Sequence, residues 1–257
     1  MADPRRPLPN VYGRELGGEE LARDVHREFV GGLWEEAGRW QFDLLRREGL
    51  APDHRLLDLG CGCLRGGVHF LSWLERGNYF GIDCNQSLLD AGLAVELPRA
   101  GLVGRLSGAQ LLRSDDYEAD AFGVSFDFVL AQSLWSHLPW EEVRRSLCQI
   151  APAVRSGGRL IATYFPAPSG SGLPDEIEHP PAGIHSYADR DPFHFRIEDL
   201  RRAGDDSGWR WLDAGPRDHA ELIPPVELIR VVAAEALVAE ALVLAEQEVP
   251  QHVVRSE

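Results

Sequence analysis

The chain is 257 residues long, 44% hydrophobic and 26% charged, enough to bury the core of one large globular domain. Its formal net charge is −15 and no stripe of Lys and Arg interrupts that balance, so a phosphate backbone, whose binding draws on counterion release, is excluded as partner and a small-molecule substrate is expected. Of the four cysteines, Cys61 and Cys63 are one residue apart while Cys84 and Cys148 stand alone, which fits neither a disulfide framework nor a zinc clip; reduced thiols and a cytoplasmic location are expected.

Taken in chain order, Met1 to Asn10 carries Asp and Arg but no apolar h-region, so no signal peptide is expected. Glu19 to Val30 and Leu33 to Arg47 both have the spacing of amphipathic helices, split by Gly31-Gly32, and together predict an N-terminal helical cap over residues 1–50. Strands and helices then alternate. Arg55 to Leu59 predicts a strand, Gly66 to Leu74 a helix, Tyr79 to Ile82 a strand, Ser87 to Leu97 a helix and Gln110 to Arg113 a weak strand. Phe126 to Ala131 predicts another strand, Glu141 to Val154 a helix and Arg159 to Phe165 a strand. Ile197 to Asp206 returns to helix and Trp209 to Ala214 to strand. Such alternation means parallel strands with crossover helices on both faces, a Rossmann-like doubly wound α/β sheet of about seven strands over residues 51–215. The segment from Pro166 to Phe195 is rich in Pro, Gly, Ser and His without a sustained period, and is expected to be a long loop that closes over a substrate.

The stretch "LLDLGCGCLRGG", Leu56 to Gly67, is a buried strand running into a glycine turn and a helix. Glycines at the carboxyl end of such a strand let the backbone approach a ligand with no Cβ in the way. A dinucleotide fingerprint has its third glycine one place earlier, where this chain has Arg65, which counts against a nicotinamide oxidoreductase. Asp83 ends "NYFGID", 21 residues beyond Gly62, and a carboxylate at the tip of the second strand is placed to accept hydrogen bonds from ribose hydroxyls; capping the following helix is its other reading.

With "FDFVLAQSLWSHLP" and "SGGRLIATYF" following in order, the chain resembles the class I S-adenosylmethionine-dependent methyltransferases, over about Arg55 to Phe165. "VGGLWEEAGRWQFDLLRREGL" and "DRDPFHFRIEDL" also look like segments that flank this core in a bacterial small-molecule subgroup. The resemblance implies S-adenosyl-L-methionine as cofactor and a small-molecule acceptor methylated on oxygen or nitrogen. It implies that Asp58, Gly60, Cys61 and Gly62 line the pocket for the methionine part, that Asp83 holds the ribose and that Cys84 packs beside adenine. Asp116 or its neighbour Asp115 would approach the adenine amino group, and Ala131 and Gln132 would lie near the methyl group. Arg65 is read either as partner of the cofactor carboxylate or as a surface ion pair. Leu64 stands where the fullest motif has a third glycine. A relative that binds cofactor without transferring methyl is the alternative class.

Methyl transfer from a sulfonium is an in-line displacement, and a general base is needed where the acceptor is a neutral hydroxyl or a protonated amine. His137 and His194 are the candidate catalytic residues, with His185 a third histidine in the long loop; a turn-shaping role for His137 and a packing role for His194 are the alternatives. Asp189, Asp191, His185 and His194 have irregular spacing and no metal site is expected from them. Trp34, Trp40 and Trp135 form either an aromatic wall over substrate or part of the core.

Residues 216–257 depart from the resemblance, because that superfamily closes its sheet with an antiparallel hairpin whereas Glu227 to Val249 has an apolar helical face. Either "VELIRVV" is a last strand followed by a helix, or a long helix replaces the hairpin. Its charges at Glu227, Arg230, Glu235 and Glu240 exclude a membrane span. A homodimer through the N-terminal helices or this C-terminal helix is the expected form of any self-association.

Overall fold

The computed structural model describes residues 11–180 and 183–209, together with the backbone of three strands at 211–213, 220–222 and 228–233. The first expected helix is two short ones, α1 (Gly18–Ala22) and α2 (Val25–Phe29), because Asp24 between them takes a left-handed conformation at φ 60°. Helix α3 (Trp34–Arg47) follows the Gly31-Gly32 break, with Glu35 and Glu36 in its first turn and Arg46 and Arg47 in its last, both matched to the helix dipole.

Strand β1 (Leu56–Leu59) leads through the glycine turn to α4 (Gly67–Trp73), and β2 (Tyr79–Asp83) leads to α5 (Gln86–Ala91). Asn85 caps α5 through its side chain, and a π-helical turn at Gly92–Glu96 joins α5 to α6 (Leu97–Arg99). Then come β3 (Leu111–Arg113), β4 (Phe126–Ala131), α7 (Trp140–Ile150) and β5 (Val154–Pro166). The expected loop at 166–195 holds structure of its own: β6 (Glu176–His179) and β7 (Ile184–Tyr187) form an antiparallel hairpin, and β8 (His194–Phe195) pairs with the end of β5. Helix α8 (Ile197–Asp206) precedes β9 (Trp211–Asp213), β10 (Ala220–Leu222) and β11 (Leu228–Ala233).

The main sheet runs β3-β2-β1-β4-β5-β11-β10-β9, in which β3, β2, β1, β4, β5 and β11 are parallel. β10 pairs antiparallel with both β11 and β9. Residues 228–233 are therefore a strand beside β5, as β-branched Ile229, Val231 and Val232 favour. The helix expected after them lies outside the described residues. Successive side chains of β1 point to opposite faces, which divides the core in two. Leu57, Leu59, Phe80, Val129 and Leu160 pack under α7 and α8, whereas Leu56, Phe128, Leu130 and Ile161 pack under α3 and α4. The order of strands reverses between β1 and β4, and the crevice at the carboxyl ends of that pair is where a doubly wound sheet receives its ligand. None of the described helices is long and apolar enough to cross a membrane.

Candidate functional site

A cavity of about 280 Å³ opens at that crevice. Its walls take in Asp58, Gly60, Cys61, Gly62 and Arg65 from β1 and its turn, Asp83 and Cys84 from β2, and Gln132 and His137 after β4. The turn bends as its glycines require. Gly60 and Gly62 have φ of 76° and 53°, and a Cβ on either would press on Leu134 or Val30 at 3.1 or 3.0 Å. Leu64, where the fullest motif has glycine, holds a left-handed φ of 69° and is fully buried, its side chain packed against Gly67 and Gly92.

Asp58 is on the α3–α4 face of β1, where the Tyr79 hydroxyl donates to it at 2.7 Å. Burial pushes its carboxyl up to about 7, opposed by that hydrogen bond and reinforced by the nearby Asp83. Asp83 accepts the Gly62 N–H at 2.8 Å on one oxygen and the Asn85 N–H at 2.9 Å on the other; its carboxyl too is raised by burial. It therefore ties the glycine turn to the cap of α5 as well as facing the cavity. Burial also raises the thiols, Cys61 well above its usual range and Cys84 to about 12, so both are neutral lining groups and not nucleophiles.

Arg65 makes no ion pair among the described residues. Its guanidinium donates to the Val30 and Gly32 carbonyls at 2.9 and 3.0 Å and to the Gln132 amide oxygen at 3.0 Å, and burial lowers its proton affinity. Gln41 of α3 donates to that same Gln132 oxygen, and the Ser133 amide is held by the Thr163 hydroxyl at 2.7 Å. Gln41 was not anticipated; its signal is a polar residue on the buried stripe Ala37, Trp40, Leu44, Leu45.

His137, on a one-turn 3₁₀ helix at Trp135–His137, places its Nδ1 2.6 Å from the Asp191 carboxylate and its Nε2 3.4 Å from the Tyr12 hydroxyl. Tyr12 also escaped the sequence reading, since it belongs to no motif, and Asp191, weighed there only within an irregular metal set, was not expected beside His137. Phe165 and Ile184, from the end of β5 and the hairpin, complete the mouth.

Several expected site residues lie elsewhere. Asp115 lines the cavity, whereas Asp116 points away to an ion pair with Arg145. Ala131 is fully buried in the core beneath the site. His194 is no part of the cavity: it is 1% exposed, its Nδ1 takes the Ser186 hydroxyl at 2.9 Å and its Nε2 donates to the Pro174 carbonyl at 3.0 Å, so it is a structural histidine. His185 pairs with Glu176 on the exposed side of the hairpin. Of the tryptophans only Trp40 reaches the cavity; Trp135 and Trp34 belong to apolar clusters.

A doubly wound parallel sheet with a glycine turn after β1 and an acidic residue ending β2 places its ligand crevice at the switch point. Residues 57–162 match the family of methyltransferase domains. Among solved structures, a sugar N-methyltransferase from Streptoalloteichus is 19% identical, over 82% of this chain and 92% of that one, with a TM-score of 0.50. An S-adenosylmethionine-dependent methyltransferase from Clostridium acetobutylicum is 12% identical, over 76% and 89%, also with a TM-score of 0.50. These two likenesses establish the fold. The family match covers the stretch from β1 to within β5 that builds most of the cavity wall, and the fold is one this chain shares with these solved methyltransferases.

Proposed function

We propose that this enzyme transfers the methyl group of S-adenosylmethionine to a small-molecule acceptor in the cytoplasm, and that the cavity is where both bind. The observation that carries the proposal is the meeting of two carboxylates of raised proton affinity with a guanidinium that has no acidic partner among the described residues, all in one cavity. An amino acid joined to a nucleoside matches that set. Asp58 would take its ammonium, Arg65 its carboxylate and Asp83 the two ribose hydroxyls, with Cys84 and Asp115 flanking the base. When bound, S-adenosylmethionine supplies a methyl group on a positively charged sulfur. The protein's share is alignment: Gln41, Arg65, Gln132 and Ser133 form one hydrogen-bonded network across the middle of the cavity, and alignment of reactants accounts for about 7–11 kcal/mol of such barriers.

Four free cysteines support a reducing compartment, and the charge of −15 supports an acceptor that is not nucleic acid. Thermal unfolding tests the cofactor assignment. S-adenosylhomocysteine at 100 times its Kd is expected to stabilise the protein by about 2.7 kcal/mol, with no shift from NADH. A shift with NADH alone transfers the site to the nicotinamide class.

A further inference from the structure

We infer that Asp191 is a positioning residue for His137, and that the pair selects a neutral hydroxyl group as methyl acceptor; this rests on the cofactor assignment above. The two residues meet across 54 positions of sequence, His137 from the turn after β4 and Asp191 from the segment between β7 and β8. An ionised carboxylate only accepts hydrogen bonds, so the 2.6 Å contact makes Nδ1 the protonated nitrogen of the neutral ring and leaves the lone pair on Nε2. His137 lines the cavity, and its Nε2 lies beside the hydroxyl of Tyr12, another lining residue, whose ring is 4.7 Å from the imidazole. Burial, then the Asp191 charge, raises the Tyr12 phenol above its usual range, so Tyr12 remains a neutral hydroxyl. Asp191 and Tyr12 are titratable groups that contact the imidazole, and Arg65 lines the same cavity.

This arrangement discriminates among acceptors. A carboxylate acceptor is already ionised and requires a cation beside it, yet among the described residues the lining holds one arginine, Arg65, which the cofactor assignment already gives to the cofactor carboxylate. A neutral amine attacks with its own lone pair and needs no fixed base. A hydroxyl becomes a competent nucleophile as its proton leaves, and a carboxylate-backed imidazole is built to receive that proton. The oxygen–methyl bond forms as the carbon–sulfur bond breaks with its electron pair going to sulfur, and the hydroxyl proton passes to His137 Nε2. The imidazolium so formed is stabilised by Asp191. Leu134, Leu138, Phe165 and Ile184 supply an apolar wall around this point, which fits a hydroxyl carried on a ring or hydrocarbon skeleton.

The test combines nitrogen-15 spectra of the histidines with methylation of 4-methylphenol and 2-naphthol against 4-methylaniline and cyclohexylamine, and calorimetry with S-adenosylhomocysteine. His137 is expected to carry its proton on Nδ1 in the wild type and on Nε2 in Asp191→Asn. The hydroxyl acceptors are expected to be methylated, with kcat reduced about 10²–10⁴-fold by Asp191→Asn, partly restored by Asp191→Glu, and S-adenosylhomocysteine affinity unchanged in both. An Nε2-protonated ring in the wild type, an undiminished kcat in Asp191→Asn, or a protein that binds S-adenosylhomocysteine yet methylates no hydroxyl acceptor overturns the inference. Failure to bind S-adenosylhomocysteine strikes the cofactor assignment instead.

Discussion

Asp83 accepts two backbone amides as well as facing the cavity, so removing its carboxylate acts on the turn and on the ligand together. Asp83→Ala is expected to weaken S-adenosylhomocysteine binding by about 1.5–3 kcal/mol, more than tenfold in Kd, and to lower Tm because the Gly62 and Asn85 amides lose their acceptor. Asp83→Asn keeps an amide acceptor and should preserve more of the Tm while still losing affinity. Calorimetry showing wild-type Kd in a folded Asp83→Asn protein removes this residue from the site. Asp58 makes a separate prediction about protons. In the free protein its carboxyl is raised to about 7, with Tyr79, Asp83 and Arg65 around it; an ammonium bound against it favours the ionised form. Below pH 7 binding then releases a proton, so affinity rises with pH up to about 7 and levels off above it. Calorimetry in two buffers of different ionisation enthalpy reads that proton directly. Asp58→Asn should flatten the profile, and a wild type that releases no proton at pH 6 argues against an ammonium at this position.

The hairpin of β6 and β7 is held to the sheet by a chain of hydrogen bonds with one consistent direction. His179 donates to Ser186 at 2.6 Å, Ser186 donates to His194 at 2.9 Å, and His194 donates to the Pro174 carbonyl at 3.0 Å. His179 also stacks on Phe165, 4.8 Å between ring centres, and the Phe193 amide donates to the Ser136 carbonyl. Burial lowers the proton affinity of His194, which suits its role as a neutral link. His194→Ala leaves the Ser186 hydroxyl and the Pro174 carbonyl without their partner and is expected to cost about 1–3 kcal/mol. Amide exchange should quicken through Glu176–Tyr187, and the acceptor KM should rise with cofactor Kd unchanged. Loss of kcat with normal exchange would return His194 to the chemistry.

The N-terminal helices and the sheet act as one body around the cavity. Glu15 caps α5 at the Gln86 and Ser87 amides, and Asn85 holds the Tyr12 and Arg14 carbonyls at 2.9 and 2.8 Å. Beneath them the buried Glu96 binds His26 at 2.6 Å and Arg27 through two hydrogen bonds at 2.9 and 2.6 Å. α2 therefore carries the Val30 and Gly32 carbonyls that fix Arg65, and the Glu96 cluster fixes α2. Glu96→Ala, which leaves His26 and Arg27 without their carboxylate, is expected to lower stability by about 3–5 kcal/mol. It should also weaken S-adenosylhomocysteine binding, although Glu96 is not among the cavity residues. Unfolding curves and calorimetry on the same preparation check both, and a variant that loses stability with wild-type Kd would uncouple the cap from the site.

The sequence by itself determined the alternation of strands and helices, the glycine turn at Gly60 and Gly62 and the acidic tip at Asp83, whereas the order of the strands, and with it the crevice between β1 and β4, came from the tertiary structure. The first three are local properties: a hydrophobic period marks each element, and a positive φ selects glycine whatever surrounds it. What the chain brings together from afar was decided only in three dimensions. Tyr12 is 125 residues from His137, and Asp191 is 54, so no spacing announces that they meet. Asp115 and Asp116 are adjacent and their side chains diverge, one to the cavity and one to Arg145, a choice that a motif accurate to one residue does not make. The strand at 228–233 gains its ladder bonds from β5, far back in the chain, and pairing of that kind overrides a helical pattern, whereas the β6–β7 hairpin pairs with itself beneath a loop-like composition.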